Sequence, residues 1–485
     1  MKNLKKYLLL FFAATIIVSC GDEDLEPVLS LDKDLATGIK SAGDLASVLN
    51  SAYDRMTVSG YYGRNQIIDG DVRTDNMYSN MNSGRFASSN MDYTSQGSGG
   101  WVSKYSVIAI CNIVIGADTA SLTGDAAAIN HTVGQAHAIR ALVHFDLLKE
   151  YGQHFITGQG GAASLGIPYV KTYKVPENLS PARDTVGSNV ADIIADLQTG
   201  IGLMSQSLDD TSSYMTVAGA YAIGARATLY AGSVDPSLYA TAGTMAKWVI
   251  DNSGRSPVTA AGFKASYVTD NASNSLLELA MSGTDNPGIN GMAYILRGTS
   301  YGDVRPLLRD RDKPMTNPDL QDIFEADAAT DVRWTVNGMI GTAQGQATVL
   351  GKFPTMTGLD NVTIIRVEEM HLIYAEAMLR AGNNATALTY LNNIPAIRGL
   401  GANYYPSPAT LDNILLERRK EFYCEGLRYD DLLRTGQGMP LVNSSWQLND
   451  DKTGTPPAYG DYNTAKPIFQ SELNANPNIV QNYGY

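Results

Sequence analysis

Cysteine and histidine are both scarce in this chain, at three and five residues out of 485. Three cysteines cannot build the disulfide lattice of a small secreted scaffold. The histidines, His131, His137, His144, His154 and His371, show no metal-ligand spacing. His137 and His144 stand two helical turns apart, about 10 Å, too far to share one zinc ion. Charge is thin as well: 18% of residues, with 36 Lys plus Arg against 49 Asp plus Glu and a net charge of -13. A negative surface offers no general attraction to a phosphate backbone, which argues against a nucleic-acid partner. Neither a P-loop nor an H-E-x-x-H sequence occurs. Nor does a run of 18 or more apolar residues follow the N-terminal one, so no spanning helix is expected in the rest of the chain.

What the chain does have is bulk and tyrosine. With 44% hydrophobic residues it can bury a large core, and 27 Tyr against 10 Phe and 4 Trp give it aromatics that carry a hydroxyl, suited to polar ligands. Lys2, Lys5 and Lys6 precede the apolar run Tyr7 to Val18, the layout of an export signal. The run closes on Ile17-Val18-Ser19-Cys20, which looks like a bacterial lipobox, with Cys20 as the lipidated first residue of the mature protein. Residues 1–19 are then a lipoprotein signal peptide that is cleaved, and 20–40 an acidic tether opening with Gly21-Asp22-Glu23-Asp24. Those acids resemble a surface-export tag. Removing residues 1–19 takes away three lysines and no acid, leaving a net charge of -16. Cys111 and Cys424 fall in apolar helical contexts and are expected as buried free thiols.

Residues 41–485 read as one α-helical domain. Apolar positions Val133, Ala136, Ile139, Val143 and Leu147 form a helical stripe over 131–151, closed by Gly152 as C-cap. Further helices are expected at 188–206, 216–232, 239–252, 364–381, 384–398 and 411–425. Two Ala-rich pairs, Val217 to Ile250 and Val367 to Leu400, each fill about the 34 residues of a tetratricopeptide repeat. Between them lie Gly-, Ser-, Asn-, Asp- and Tyr-rich blocks at 57–100, 253–363 and 436–485, loops long enough to be functional. The expected fold is mainly α, a tetratricopeptide-like helical repeat scaffold with long irregular loops and a few short strands.

The order of several short stretches is more specific. Tyr61-Tyr62-Gly63 and Thr74-Asp75-Asn76 come first, then Trp101, Tyr105, Ile108 and Asn112, then Arg140-Ala141, Tyr151-Gly152 and Gly166-Ile167-Pro168. Ile365-Arg366, Tyr374-Ala375-Glu376-Ala377 and Ile397-Arg398-Gly399 follow. Glu417-Arg418-Arg419-Lys420-Glu421-Phe422, Glu425-Gly426-Leu427-Arg428, Asp431-Leu432-Leu433-Arg434 and the tail Asn476-Pro477-Asn478 to Tyr485 complete the series. Together, behind a lipobox, they resemble the SusD/RagB family of outer-membrane nutrient-binding lipoproteins along nearly the whole mature chain. Two departures are Lys466-Pro467-Ile468-Phe469 before the tail and Pro395 within a repeat helix, which is expected to bend it. The resemblance implies a SusD-like helical fold, no catalysis and no cofactor. It also implies a partner, a SusC-like TonB-dependent transporter beneath it that carries a captured oligosaccharide, or in some relatives a peptide, inward. The expected location is the outer membrane, lipid-anchored and facing outward.

Sugars present flat C–H faces rimmed by hydroxyls, so a site for them combines tyrosine or tryptophan platforms with amide, carboxylate and guanidinium partners. Candidates in the first loop block are Tyr61, Tyr62, Arg73, Asp75, Asn76, Tyr78 and Tyr93; those in the second are Tyr294, Tyr301, Arg305 and Trp334. Trp101 heads a helical stripe and is assigned to the core. Two catalytic readings compete. Gly298-Thr299-Ser300-Tyr301-Gly302 fits a hydrolase nucleophile turn, but Asp303-Val304-Arg305-Pro306 is a poor helix start behind Ser300, and His371 falls in a repeat helix. The run Glu417 to Glu421 pairs Glu417 with Lys420 and Arg418 with Glu421 at i, i+3, and Asp430 and Asp431 flank Arg434 in the same way. That makes it a structural ion-pair network rather than an acid with a raised pKa.

Overall fold

The computed structural model describes residues 38–87, 89, 100–298, 301–314, 317–448 and 456–485. Helices dominate it. The first half is built from α1 (Ala42–Thr57), α2 (Asn65–Val72), α3 (Trp101–Ile115), α4 (Ala126–Tyr151), α5 (Val186–Leu203), α6 (Val217–Ala231) and α7 (Leu238–Asn252). Short strands β1 (Met77–Ser79), β2 (Ser275–Leu279) and β3 (Val304–Pro306) frame α8 (Met292–Arg297), and α9 (Leu320–Glu325) precedes β4 (Ile340–Ala343), β5 (Gln346–Val349) and β6 (Val362–Arg366). The last stretch holds α10 (Val367–Arg380), α11 (Asn384–Ile397), α12 (Leu411–Phe422), α13 (Arg428–Arg434), α14 (Ser444–Gln447) and α15 (Gln470–Ala475).

Local chemistry fixes where the helices begin. Ser41, Thr185, Thr216, Asn383 and Thr410 each accept a hydrogen bond from the third residue beyond, satisfying a backbone N–H that the first turn leaves without a partner. Gly152 caps α4 as expected, its N–H bonded to Leu148 O, though in extended rather than left-handed backbone. Pro395 sits in the last turn of α11, so the N–H it lacks and its ring disturb the ladder only close to the end of the helix.

The longer helices then pack side by side in chain order: α1 on α3, α3 on α4, α4 on α5, α5 on α6, α6 on α7, α7 on α10 and α10 on α11. The two pairs read from the sequence are therefore stacked hairpins that meet through α7 and α10. Small residues set how close the axes come. A Cβ on Gly134 of α4 would lie 2.7 Å from Gly200 O of α5, and one on Gly243 of α7 2.8 Å from the Cβ of Ala377 in α10. Cys111 and Cys424 are buried and unbridged, and burial pushes the Cys111 thiol up to about 12.

The blocks read as loops contain more order than expected. Among the described residues the strands form three antiparallel pairs, β1 with β3, β2 with β6 and β4 with β5. The helix expected at 364–381 starts only at Val367, because residues 362–366 pair with β2 instead. Among the described residues no helix is long and apolar enough to cross a membrane.

The charges on α12 reach between elements. Glu421 takes Arg398 at 2.6 Å, Arg366 at 2.6 Å and Arg333 at 3.2 Å; Glu417 takes Arg333 at 2.6 Å and the Tyr405 hydroxyl at 2.9 Å. Arg418 bonds Asp431 at 2.8 Å, Lys420 pairs with Asp327 at 3.1 Å, and Arg419 with Asp75 at 3.2 Å. The i, i+3 partners expected within α12 are thus replaced by partners on five other segments, while Asp431 and Arg434 do pair at i, i+3, 2.8 Å apart. The reason is burial: α12 is covered from Glu417 to Phe422, so each charge needs a partner from whatever packs on its own side. Burial raises the Glu421 carboxyl, and Arg398 and Arg366 outweigh it, holding the group well below the usual carboxylate range.

Candidate functional site

The sequence candidates divide by environment. Tyr61 and Tyr62 are buried with rings 4.6 Å apart, and both hydroxyls donate to Asp146 Oδ2 at 2.7 Å. Burial, reinforced by the Asp146 charge, moves both phenols well above their ordinary range. Arg73 donates to the Tyr429 hydroxyl and to Asn463 O, each at 3.1 Å. Asp75 accepts two bonds of 2.8 Å from Arg428, and Asn76 bridges Asp71 at 2.8 Å and Arg419 at 2.9 Å. Burial alone would raise the Asp75 carboxyl; Arg419 and Arg428 outweigh it and hold it below the usual range. Tyr78 packs on Trp446 at 4.6 Å, and Trp334 stacks on Phe324 at 4.9 Å. All seven of these side chains face protein, and the six from the first loop block tie it to the rest of the fold. Trp101 is buried in the core, as its stripe implies. Tyr93, Ser300 and Cys20 lie outside the described residues. His371 lies within α10, as read from the sequence.

Tyr294, Tyr301 and Arg305 are brought together. Tyr294 stands on α8, and its carbonyl accepts the Gly302 N–H at 2.9 Å, which folds the 301–302 turn back over the helix. The two rings meet edge to face at 6.3 Å and are both partly exposed. Pairing of β1 with β3 sets Tyr78 opposite Arg305, and carries the following residues Asn80 and Asn82 up beside the same turn. Asn82 Nδ2 donates to Tyr301 O at 2.7 Å; Asn80 Nδ2 donates to Gly302 O at 3.2 Å and to Gln346 Oε1 at 3.0 Å. Arg85 lies over the Tyr301 ring, 4.3 Å from its centre, and donates to Asn290 Oδ1 at 2.7 Å. Arg305 is buried beneath the turn and reaches the exposed Gln344 at 3.0 Å.

The result is a surface of two phenol rings fringed by Asn80, Asn82, Asn290, Gln344 and Gln346 with Arg85 above it. Rings of this kind can take the C–H face of a sugar while the amides and guanidinium meet its hydroxyls. The sequence reading did not name Arg85 or the asparagines. The dense amide run Asn80-Met81-Asn82 within a Tyr-rich block was the available signal.

Other hollows are of different character. A groove of about 890 Å³ lies between α7 and α10, lined by Tyr239, Gly243, Lys247, Tyr374, Met378 and Arg380. A second, about 440 Å³, runs along α3 between Tyr105, Val102, Tyr173 and Leu179 and is mainly apolar. A cavity of about 30 Å³ between Asp69, Lys149, Glu150, Tyr429 and Lys466 is enclosed by charge and has room for little more than water.

Comparison with known proteins gives concordant results. Residues 333–485 match the SusD family, and residues 28–229 match a SusD-like family described as starch-binding and associating with the outer membrane. The starch-binding protein SusD of Bacteroides thetaiotaomicron is 30% identical over 128 residues, a stretch that is 26% of this chain and 22% of that relative's length. Among solved structures, a candidate sugar-binding protein of Bacteroides vulgatus is 28% identical with a TM-score of 0.79, covering 93% of this chain and 100% of its own. A SusD superfamily protein of Bacteroides thetaiotaomicron is 26% identical with a TM-score of 0.79, covering 91% of this chain and 99% of its own.

Proposed function

Because the chain belongs to the SusD family, we propose that it captures an oligosaccharide nutrient outside the cell and passes it, uncleaved, to a SusC-like TonB-dependent transporter. The observation that carries this reading is the pair Tyr294 and Tyr301 with its fringe of amides and arginines, set at the surface by two loop blocks far apart in sequence. The starch-binding description of the matching family and of the curated relative supports a glycan as the ligand class. Retention by stacking and hydrogen bonding requires no bond-breaking group. The carboxylates Glu417 and Glu421 are buried against arginines, out of reach of a ligand at the Tyr301 surface.

In this reading residues 1–19 are removed, Cys20 carries the lipid, 20–40 form the leash and 41–485 the binding domain. Acyl chains bury about 0.8 kcal/mol per methylene, so several hold the protein at the membrane. There the leash keeps it beside its transporter at a high effective concentration. Incubating the purified protein with an oligosaccharide panel tests the central step, with titration reporting binding and chromatography the chain length. Binding with unchanged chain length is expected; shortened products would refute the non-catalytic role.

A further inference from the structure

Many buried arginines in this acidic protein are matched by acids, while Arg183 is held by main-chain carbonyls alone. Arg333 alone meets Asp331 at 2.8 Å, Glu417 at 2.6 Å and Glu421 at 3.2 Å. The Tyr301 surface gathers cations without matching acids. Three guanidinium groups, of Arg64, Arg85 and Arg305, surround one carboxylate, Asp303, and none of them makes an ion pair among the described residues.

Asp303 is fully buried and held by the Ser83 main-chain N–H at 2.5 Å and the Ser83 hydroxyl at 2.6 Å. Arg85 reaches it only through that same hydroxyl, at 3.1 Å. Arg64 and Arg305 both feel its charge without touching it. Arg64 bonds instead to Asn65 Oδ1 at 2.8 Å and Asn290 O at 3.0 Å, so Arg64 and Arg85 share Asn290 as their neutral anchor. The other acid near Arg64, Asp69, is engaged by Lys466 at 2.8 Å and Ser89 at 2.9 Å. Burial, together with the positive charge of Arg85, lowers Arg64 to about 10. Beneath the turn, Arg305 has Nε and Nη1 buried with no hydrogen-bond partner. A cluster with three cations to one anion, partly removed from water, is costly unless another negative group completes it.

Resting on the glycan-capture reading above, we propose that this surface selects acidic oligosaccharides, with a carboxylate or sulfate ester of the ligand completing the charge of Arg64, Arg85 and Arg305. A guanidinium fork suits both oxyanions. Arg85 already lies on the Tyr301 ring, so a sugar stacked on Tyr294 and Tyr301 keeps a charged substituent within its reach.

The test titrates the intact protein with a panel of neutral and acidic oligosaccharides that includes matched pairs: oligogalacturonates and their methyl esters, chondroitin sulfate oligosaccharides and their desulfated forms. The expected result is that the tightest ligands are acidic, and that neutralising them weakens binding by about tenfold or more. Raising the salt from about 20 to about 300 mM should erode that preference. The matched pairs tell carboxylate from sulfate. Arg85→Gln, and independently Arg64→Gln, should shrink the acidic preference in protein whose melting temperature is unchanged. Tightest binding of neutral glycans would overturn the proposal and leave glycan capture standing. Binding of no glycan at all would remove both.

Discussion

His144 shows how completely a residue's chemistry is set by what covers it. Its Nε2 accepts the Val170 N–H at 3.1 Å, which puts the ring proton on Nδ1, donated to Arg140 O at 2.9 Å, and the ring stacks on Tyr169 at 3.8 Å. Burial lowers its pKa to about 3; burial also takes His154 to about 3 and His371 to about 4. An unfolded chain takes up these protons near the ordinary value of about 6.5. The stabilising contribution of the neutral imidazoles is therefore full above that pH and is lost as the pH falls, by about 2 kcal/mol per ring at pH 5. Asp71, raised to about 6 by burial, acts in the opposite direction and offsets part of the loss. Melting temperature should drop between pH 7.5 and 5, and His144→Gln should flatten the slope; a wild-type curve that stays level would contradict the assignment. None of this is legible in the sequence, where the five histidines look alike. The tyrosines have the same limitation: Tyr61 and Tyr301 belong to equally polar stretches, yet one is buried on Asp146 and the other forms the candidate platform.

At the scale of elements, legibility follows periodicity. Helices with a repeated apolar stripe and a capping residue, such as α5 behind Thr185 and α6 behind Thr216, are found within a few residues of their expected ends. The strands of three to five residues inside the loop blocks carry too few alternations to register, and pairing across long separations, as of β1 with β3, leaves no local trace. The candidate site depends on that pairing, which explains why only part of it was read in advance. Helix approach is more predictable. Gly134 and Gly200 face each other where α4 crosses α5, and a methyl on Gly134 would meet Gly200 O at 2.7 Å. Gly134→Ala should force the helices apart and destabilise the fold by about 1–3 kcal/mol, read by denaturant unfolding. A neutral effect would mean that the crossing gives way easily.

For the whole molecule, the order of short motifs tells more than any one of them, because it tracks a shared three-dimensional arrangement. The stretch from Glu417 to Arg434 supplies the charges that join α12 and α13 to the repeats and to the first loop block: Arg419 and Arg428 hold Asp75, and Arg434 holds Glu376 at 2.7 Å. That stretch anchors the loop block that carries the candidate surface without belonging to that surface. The proposed tether acts at the same scale. Cys20→Ala should move the protein from the membrane to the soluble fraction on cell fractionation, and a membrane-bound variant would refute lipid anchoring at that residue. The central claim, that ring faces and amides at the Tyr294 and Tyr301 surface hold an intact glycan, is tested most directly by calorimetric titration of the wild type and of Tyr301→Ala with the tightest oligosaccharide of the panel. Loss of a stacking ring should weaken binding by about 1 kcal/mol or more, roughly fivefold upward, with the fold intact. Equal affinity in the two proteins would place the ligand elsewhere and contradict the account.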